Sequence, residues 1–174
     1  RDLHGRSPGA RRVFERADEI MGRSLTGVCF DGPQERLTET RECQPAIYVT
    51  SLACLAALRE AADVDPVAAG GLSLGEFAAC TAAGVFPMEA GLPLVARRGE
   101  LMQAACRDND GAMAAVLNAE PELLHRICDE CSVDVANYNC PGQTVISGAS
   151  DRVDAAVEAL AQAGVKRVVK LDVD

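Results

Sequence analysis

Val67-Ala68-Ala69-Gly70-Gly71-Leu72-Ser73-Leu74-Gly75-Glu76-Phe77 sets a small apolar triplet and a glycine pair ahead of a helical pattern. The triplet reads as a short buried strand, Gly70-Gly71 breaks it, and a helix starts near Ser73 and runs to Gly84. Gly71-Leu72-Ser73-Leu74-Gly75 is a G-x-S-x-G placed between strand and helix, the context a nucleophile elbow requires. Flanking glycines let the backbone turn sharply and keep the serine hydroxyl exposed. The helix start adds unpaired N–H groups and positive dipole where an oxyanion would form. The other reading of the same residues is a Gly-rich turn whose Ser73 merely caps the helix.

Outward from the elbow, the first 110 residues read almost wholly as helix. Ser7-Pro8 opens a helix with Val13, Ala17, Ile20 and Met21 on one face, ended by Gly22. Gly32-Pro33 turns into a short polar helix. Gln44-Pro45 opens a longer one to about Ala62, with Ile47, Leu52, Leu55, Ala56 and Leu58 as its apolar side, and Met88 to about Cys106 is another. A lone buried strand cannot satisfy its own backbone groups. Its sheet partners are therefore expected outside the given chain, which begins without Met and reads as part of a longer polypeptide.

From Ala112 the texture changes. Strand Ala112–Leu117, helix Pro121–Cys131, strand Val133–Tyr138, a Cys140-Pro141-Gly142 turn, strand Thr144–Ser147, a helix capped by Ser150 and ended by Gly164, and strand Arg167–Val173 follow in turn. That βαββαβ order is the ferredoxin-like split βαβ arrangement. Residues 111–174 are expected to form this small unit, and residues 1–110 a separate one.

Composition narrows the function classes. The chain has 174 residues, 48% apolar and 25% charged, enough for a sizeable core and unlike a disordered tail. Its 17 basic and 26 acidic side chains give a net charge of −9, which argues against nucleic acid held by phosphate contacts. Aromatics make up 3% and Trp is absent, so base-stacking platforms are not expected. No apolar run reaches the roughly 18 residues of a membrane span. Of the 8 cysteines only Cys128 and Cys131 form a C-x-x-C, without zinc-ligand company, so reduced packing cysteines in a cytoplasmic protein are expected and no metal is.

An activated serine needs a base, and the only histidines, His4 and His125, are poorly placed candidates. On the last large helix Leu94, Val95, Arg98, Leu101 and Met102 fall on one side, so Arg98 rides an apolar face and requires a partner. An internal salt bridge to Glu76 or Glu100 is one possibility. Arg97 points about a quarter-turn away.

Gln44-Pro45-Ala46, Gly71-Leu72-Ser73-Leu74-Gly75-Glu76-Phe77, Arg98-Gly99-Glu100-Leu101-Met102-Gln103, Gly111-Ala112-Met113-Ala114-Ala115-Val116 and Asn139-Cys140-Pro141-Gly142-Gln143-Thr144-Val145-Ile146-Ser147-Gly148 occur in that order. Together they resemble malonyl-CoA:acyl-carrier-protein transacylases, the acyltransferases of type II fatty acid synthesis, from Arg1 to Asp174. The resemblance implies an α/β-hydrolase-like large subdomain, incomplete here, with a ferredoxin-like small one inserted. It makes Ser73 the nucleophile, the Leu74 backbone N–H half of the oxyanion hole, and Arg98 the clamp for a malonyl carboxylate.

Gln44, Leu72, Met102, Met113 and Asn139 would line the cleft, although Met102 and Met113 could be core residues and Gln44 a helix cap. Malonyl-CoA and acyl carrier protein are the implied substrates, with no cofactor and a monomeric state. Leu72 stands where many members have His. The glutamine that completes the oxyanion hole would precede Arg1, and the catalytic His would follow Asp174 by about four residues. The chain as given is therefore expected not to turn over.

Arg126, Lys166, Arg167 and Lys170 are candidates for a carrier-protein patch, unless they are an ordinary solvated surface. A polyketide synthase acyltransferase shares the same residues. A plain serine esterase or thioesterase, and a non-catalytic binding module, are the remaining alternatives.

Overall fold

The computed structural model describes residues 1–108 and 110–171 of an α/β chain that divides into two compact units, Arg1–Ala104 and Ala105–Asp174. The first unit is helical: α1 (Asp2–Arg6), α2 (Pro8–Met21), α3 (Leu25–Asp31), α4 (Gln34–Thr38), α5 (Thr40–Ala61), α6 (Leu74–Ala82) and α7 (Met88–Asp108), whose last turn crosses into the second unit. Its core gathers Phe14 and Ala17 of α2, Tyr48, Val49, Leu52 and Ala53 of α5, Leu74 of α6, and Leu92 and Val95 of α7. Burying each of the large side chains stabilises the fold by roughly 1.5–3 kcal/mol.

Local signals account for α2. The Ser7 hydroxyl oxygen accepts from the Ala10 N–H at 3.0 Å, Pro8 supplies the first-turn φ, and Gly22 at φ 61° stops the helix. A second anchor comes from α5. The Glu60 carboxylate accepts from the Gly9 N–H at 2.7 Å and from the Ser7 hydroxyl at 2.6 Å, setting negative charge against the positive end of α2. Glu60→Ala is expected to lower stability by about 1–3 kcal/mol, the cost of losing hydrogen bonds to a charged group. An unchanged urea midpoint would show that water replaces the carboxylate without loss.

Several sequence expectations change in this unit. Val67-Ala68-Ala69 forms no strand among the described residues, and Val67 is fully exposed. No strand among the described residues of this unit pairs with it, so a ladder cannot form. Helix α5 begins at Thr40 rather than at Gln44-Pro45. The Glu39 carbonyl accepts from the N–H groups of both Glu42 and Cys43 at 2.8 Å, which starts the helix ahead of the proline. Gln44 is thus interior to a helix and not its cap.

On α5 the buried stripe is Tyr48, Val49, Leu52 and Ala53, whereas Ile47 and Leu58 are about half exposed. On α7 the buried positions include Gly91, Leu92, Val95 and Gly99, while Leu94, Leu101 and Met102 are exposed. Glycines select that face. A Cβ at Gly91 would overlap the Tyr48 hydroxyl, and one at Gly99 would lie 3.0 Å from the Arg41 Cα, so α7 meets α5 through its smallest residues. Helices α1 and α3 were not expected from sequence. The second is capped by Ser24, whose hydroxyl oxygen accepts from the Gly27 N–H at 3.0 Å.

The second unit runs β1 (Gly111–Leu117), α8 (Pro121–Cys131), β2 (Asp134–Cys140), β3 (Gln143–Ala149), α9 (Ser150–Gln162) and β4 (Arg167–Leu171). The four strands make one antiparallel sheet in the order β2-β3-β1-β4. Ala112, Ala114 and Val116 of β1 pack with Leu124, Ile127 and Cys128 of α8 and with Val153, Ala156 and Leu160 of α9. Ser150 does not cap α9. It is the first helical residue, Ala149 precedes it as cap without a side-chain bond, and its N–H donates to the Asp110 carbonyl at 2.9 Å. The end of the last expected strand, at residues 172–173, lies outside the described residues.

All eight cysteines are free. Burial, first among the causes, pushes the thiols of Cys29, Cys43 and Cys128 above the ordinary value of 9.0. A raised thiol pKa favours the folded state until the unfolded thiols ionise. Its contribution is complete below about pH 9 and is lost as pH rises through the folded pKa. At neutral pH a maleimide is expected to modify the exposed Cys54, Cys106 and Cys140 first, and the buried Cys128 only on unfolding. Equal labelling of Cys128 in the native protein would contradict its burial.

Candidate active site

The turn between Gly71 and α6 is strained at one residue. Ser73 has φ 52° and ψ −111°, a conformation side-chain-bearing residues rarely adopt. Gly71 makes the turn possible, because a Cβ there would overlap the Gly75 carbonyl and the Glu76 amide. A Cβ at Gly75 would meet open space, so the close approach depends on the first glycine of the motif. The Gly75 N–H donates to the Leu72 carbonyl at 2.8 Å and locks the turn.

Ser73 sits at the cap position of α6 but makes no side-chain cap bond. Helix capping is therefore not its role. Its residue is exposed, and no backbone carbonyl among the described residues accepts from the Leu74 N–H that follows it. Leu74 anchors the turn by burying its side chain in the core, whereas Leu72 is 66% exposed beside the serine.

The hydroxyl oxygen of Ser73 accepts from Arg98 Nη2 at 2.8 Å. Arg98 Nη1 donates to Gln44 Oε1 at 2.6 Å, and Gln44 Nε2 donates to Met102 Sδ at 2.9 Å. The guanidinium carbon lies 5.8 Å from the Phe77 ring centre. Four of the residues singled out from sequence, Gln44, Ser73, Arg98 and Met102, thus form one chain of contacts drawn from α5, the elbow and α7.

The internal salt bridge considered for Arg98 is absent. No carboxylate among the described residues lies within 4.0 Å of it, and Glu100 pairs instead with Arg97 at 2.9 Å. Met102 is 39% exposed and is not a core residue. Phe77 was missed in its contact role, yet its spacing of one helical turn from Ser73 was a usable signal.

Met113 lies on β1 opposite Ser147 and Leu171, on the strand face that alternates away from the α8–α9 core. Asn139, on β2, is exposed, and its Nδ2 donates to Gln143 Oε1 at 3.4 Å. Of the candidate basic patch, Arg126 pairs with Glu130 at 3.3 Å and Lys170 with Asp154 at 2.6 Å, so half of it is neutralised locally. His4 packs edge-on against Phe14 and Phe30, and His125 Nε2 lies 3.1 Å from the Tyr138 hydroxyl. Among the described residues no group of His, Cys, Asp or Glu is arranged to hold a metal ion. No helix among them is long and apolar enough to cross a membrane.

An exposed serine on a strained turn, with free N–H at a helix start and a cation on its hydroxyl, is equipped for acyl chemistry. The acyl transferase domain family matches residues 1–174, and the chain belongs to that family. It is 38% identical to the malonyl CoA-acyl carrier protein transacylase of Bacillus subtilis over 99% of the chain and 56% of that protein. It is 39% identical to the polyketide biosynthesis malonyl CoA-acyl carrier protein transacylase PksC of the same organism, over 84% of the chain and 51% of that protein. Among solved structures, the malonyl transacylase of Streptococcus pneumoniae superposes with a TM-score of 0.93 at 38% identity, over 99% of the chain and 57% of that protein. The chain thus spans a little over half the length of these relatives.

Proposed function

We propose that the protein containing this chain transfers a malonyl group from malonyl-CoA to the phosphopantetheine thiol of an acyl carrier protein. The observation that carries the reading is the 2.8 Å contact between Arg98 and the Ser73 hydroxyl, made by a guanidinium that no carboxylate among the described residues neutralises. Ser73 Oγ, giving its proton to a base that the resemblance places after Asp174, attacks the thioester carbonyl. The Leu74 N–H stabilises the oxyanion, the C–S bond breaks, and CoA leaves with its thiol protonated. The carrier-protein thiol then attacks the malonyl–serine ester and restores the hydroxyl.

Arg98 clamps the malonyl carboxylate, while Gln44, Leu72 and Met102 line the acyl site beside it. No cofactor takes part, and the protein works as a cytoplasmic monomer. In this reading residues 1–110 belong to an α/β-hydrolase-like subdomain and residues 111–174 form a ferredoxin-like one. The pathway is that of fatty acid synthesis. A polyketide pathway is the second reading, favoured by the PksC likeness and by the 35% identity to a transacylase solved with a type II polyketide acyl carrier protein.

Intact mass of the natural polypeptide before and after malonyl-CoA tests the proposal, with one malonyl adduct expected. No adduct on a folded protein that retains its base would refute it. Arg98→Ala is expected to lower the malonyl-over-acetyl preference by roughly ten- to hundredfold, because the substrate carboxylate loses charge-assisted hydrogen bonds. A preference that survived would remove Arg98 from the specificity role.

A further inference from the structure

Arg98 has one feature that a carboxylate clamp alone does not require. Its Nη1 is bound by a neutral acceptor, Gln44 Oε1, at 2.6 Å, and Gln44 is 7% exposed within the body of α5. Protein arginines on an apolar face are commonly matched by Asp or Glu, which orient the fork but cancel its charge. An amide oxygen orients the fork and leaves the charge intact.

The amide has only one workable orientation. Arg98 can only donate hydrogen bonds, and the Met102 thioether can only accept them. With Arg98 on one side and Met102 Sδ 2.9 Å away on the other, the Gln44 oxygen must face the guanidinium and its NH2 must face the sulfur. Turning the amide over would set NH2 against guanidinium, donor against donor.

We infer that Gln44 is a positioning residue for acyl specificity: held by Met102, it aims Arg98 at the acyl site beside Ser73 while keeping the cation unneutralised for an anionic acyl group. This rests on the reading of Arg98 given under the proposed function. The chemical demand is specific, since the partner must accept a hydrogen bond, carry no charge, and keep its oxygen toward Arg98. Glutamate meets the first condition and violates the second.

The test compares acylation of Ser73 by malonyl-CoA and by acetyl-CoA in the natural polypeptide and in Gln44→Glu, with kcat and KM measured separately for each thioester. Glutamate has nearly the same shape and can still accept from Arg98, so a purely structural role predicts an unchanged malonyl-to-acetyl ratio. The expected result is a ratio lowered roughly ten- to hundredfold, chiefly through a higher KM for malonyl-CoA, with acetyl transfer falling far less. An unchanged ratio overturns the inference. So does a folded variant that accepts neither thioester, which would tie Gln44 to the nucleophile rather than to acyl charge.

Should Gln44→Glu not fold, Met102→Leu carries the test. Without the thioether the amide loses the contact that orients it, and the ratio is expected to fall several-fold, about half a logarithmic unit, as for loss of one weak hydrogen bond. An unchanged ratio in that variant overturns the inference as well. Absence of any malonyl adduct in the unsubstituted protein would instead defeat the proposed function itself, so the two failures are read from different samples.

Discussion

Ser73→Ala is expected to abolish the malonyl adduct and to lower transfer by at least about a thousandfold, since no other group on the elbow can form the ester. The strained backbone sharpens this test. Ser73 is held at φ 52° and ψ −111° without capping α6, so the conformation does nothing for helix stability that a relaxed residue could not do better. Ser73→Gly is therefore expected to lose the reaction and also to recover part of the roughly 1–3 kcal/mol that such strain costs. It forfeits the 2.8 Å contact with Arg98, and glycine adds some unfolded-state entropy, so the net gain is smaller. A thermal melt beside the intact-mass assay reads both effects. A Ser73→Ala protein that still carried a malonyl group would move the nucleophile elsewhere, and a Ser73→Gly protein clearly less stable than Ser73→Ala would show that the turn is relaxed.

Gly71→Ala should have the largest effect on stability. The added methyl would overlap the Gly75 carbonyl and the Glu76 amide, which belong to backbone and cannot swing aside as a side chain would. Overpacking of this kind costs about 1–3 kcal/mol where the structure can adjust, and more where it cannot. Relief requires opening the turn, which breaks the 2.8 Å bond from the Gly75 N–H to the Leu72 carbonyl and moves Ser73 away from Arg98. Denaturant unfolding and acylation should therefore fall together. A Gly71→Ala protein with wild-type midpoint and wild-type adduct would show that the turn is looser than its geometry indicates.

Much of the site was legible because its signals are local. The G-x-S-x-G spacing marked the elbow, Ser7-Pro8 and Gly22 bounded α2, and Pro121–Cys131 was delimited to the residue. The alternating strands of the second unit followed the period-2 pattern, and their order around two helices is the one the sequence suggests. Such features depend on residues a few positions apart, and hydrogen-bonding geometry over that distance is nearly independent of context.

The errors came where a segment's environment decides. Val67-Ala68-Ala69 has strand composition, but a strand exists only when another backbone pairs with it. The apolar residues of α7 can be drawn as a stripe through Leu94, Leu101 and Met102, yet Gly91 and Gly99 fit against α5 and turn those three outward. Hydrophobic periodicity counts apolar side chains and overlooks the small residues that let two helices approach.

By itself, then, the sequence determined the G-x-S-x-G turn that carries Ser73, the long helices around it and the strand–helix order of the second unit. Only the tertiary structure decided what Arg98 touches. Its partner Gln44 lies 54 residues away and Ser73 lies 25 away, and the nearby acid Glu100 is taken by Arg97. The physical reason is that a long side chain chooses among several partners of similar strength, and the choice is made by which backbones the core brings together.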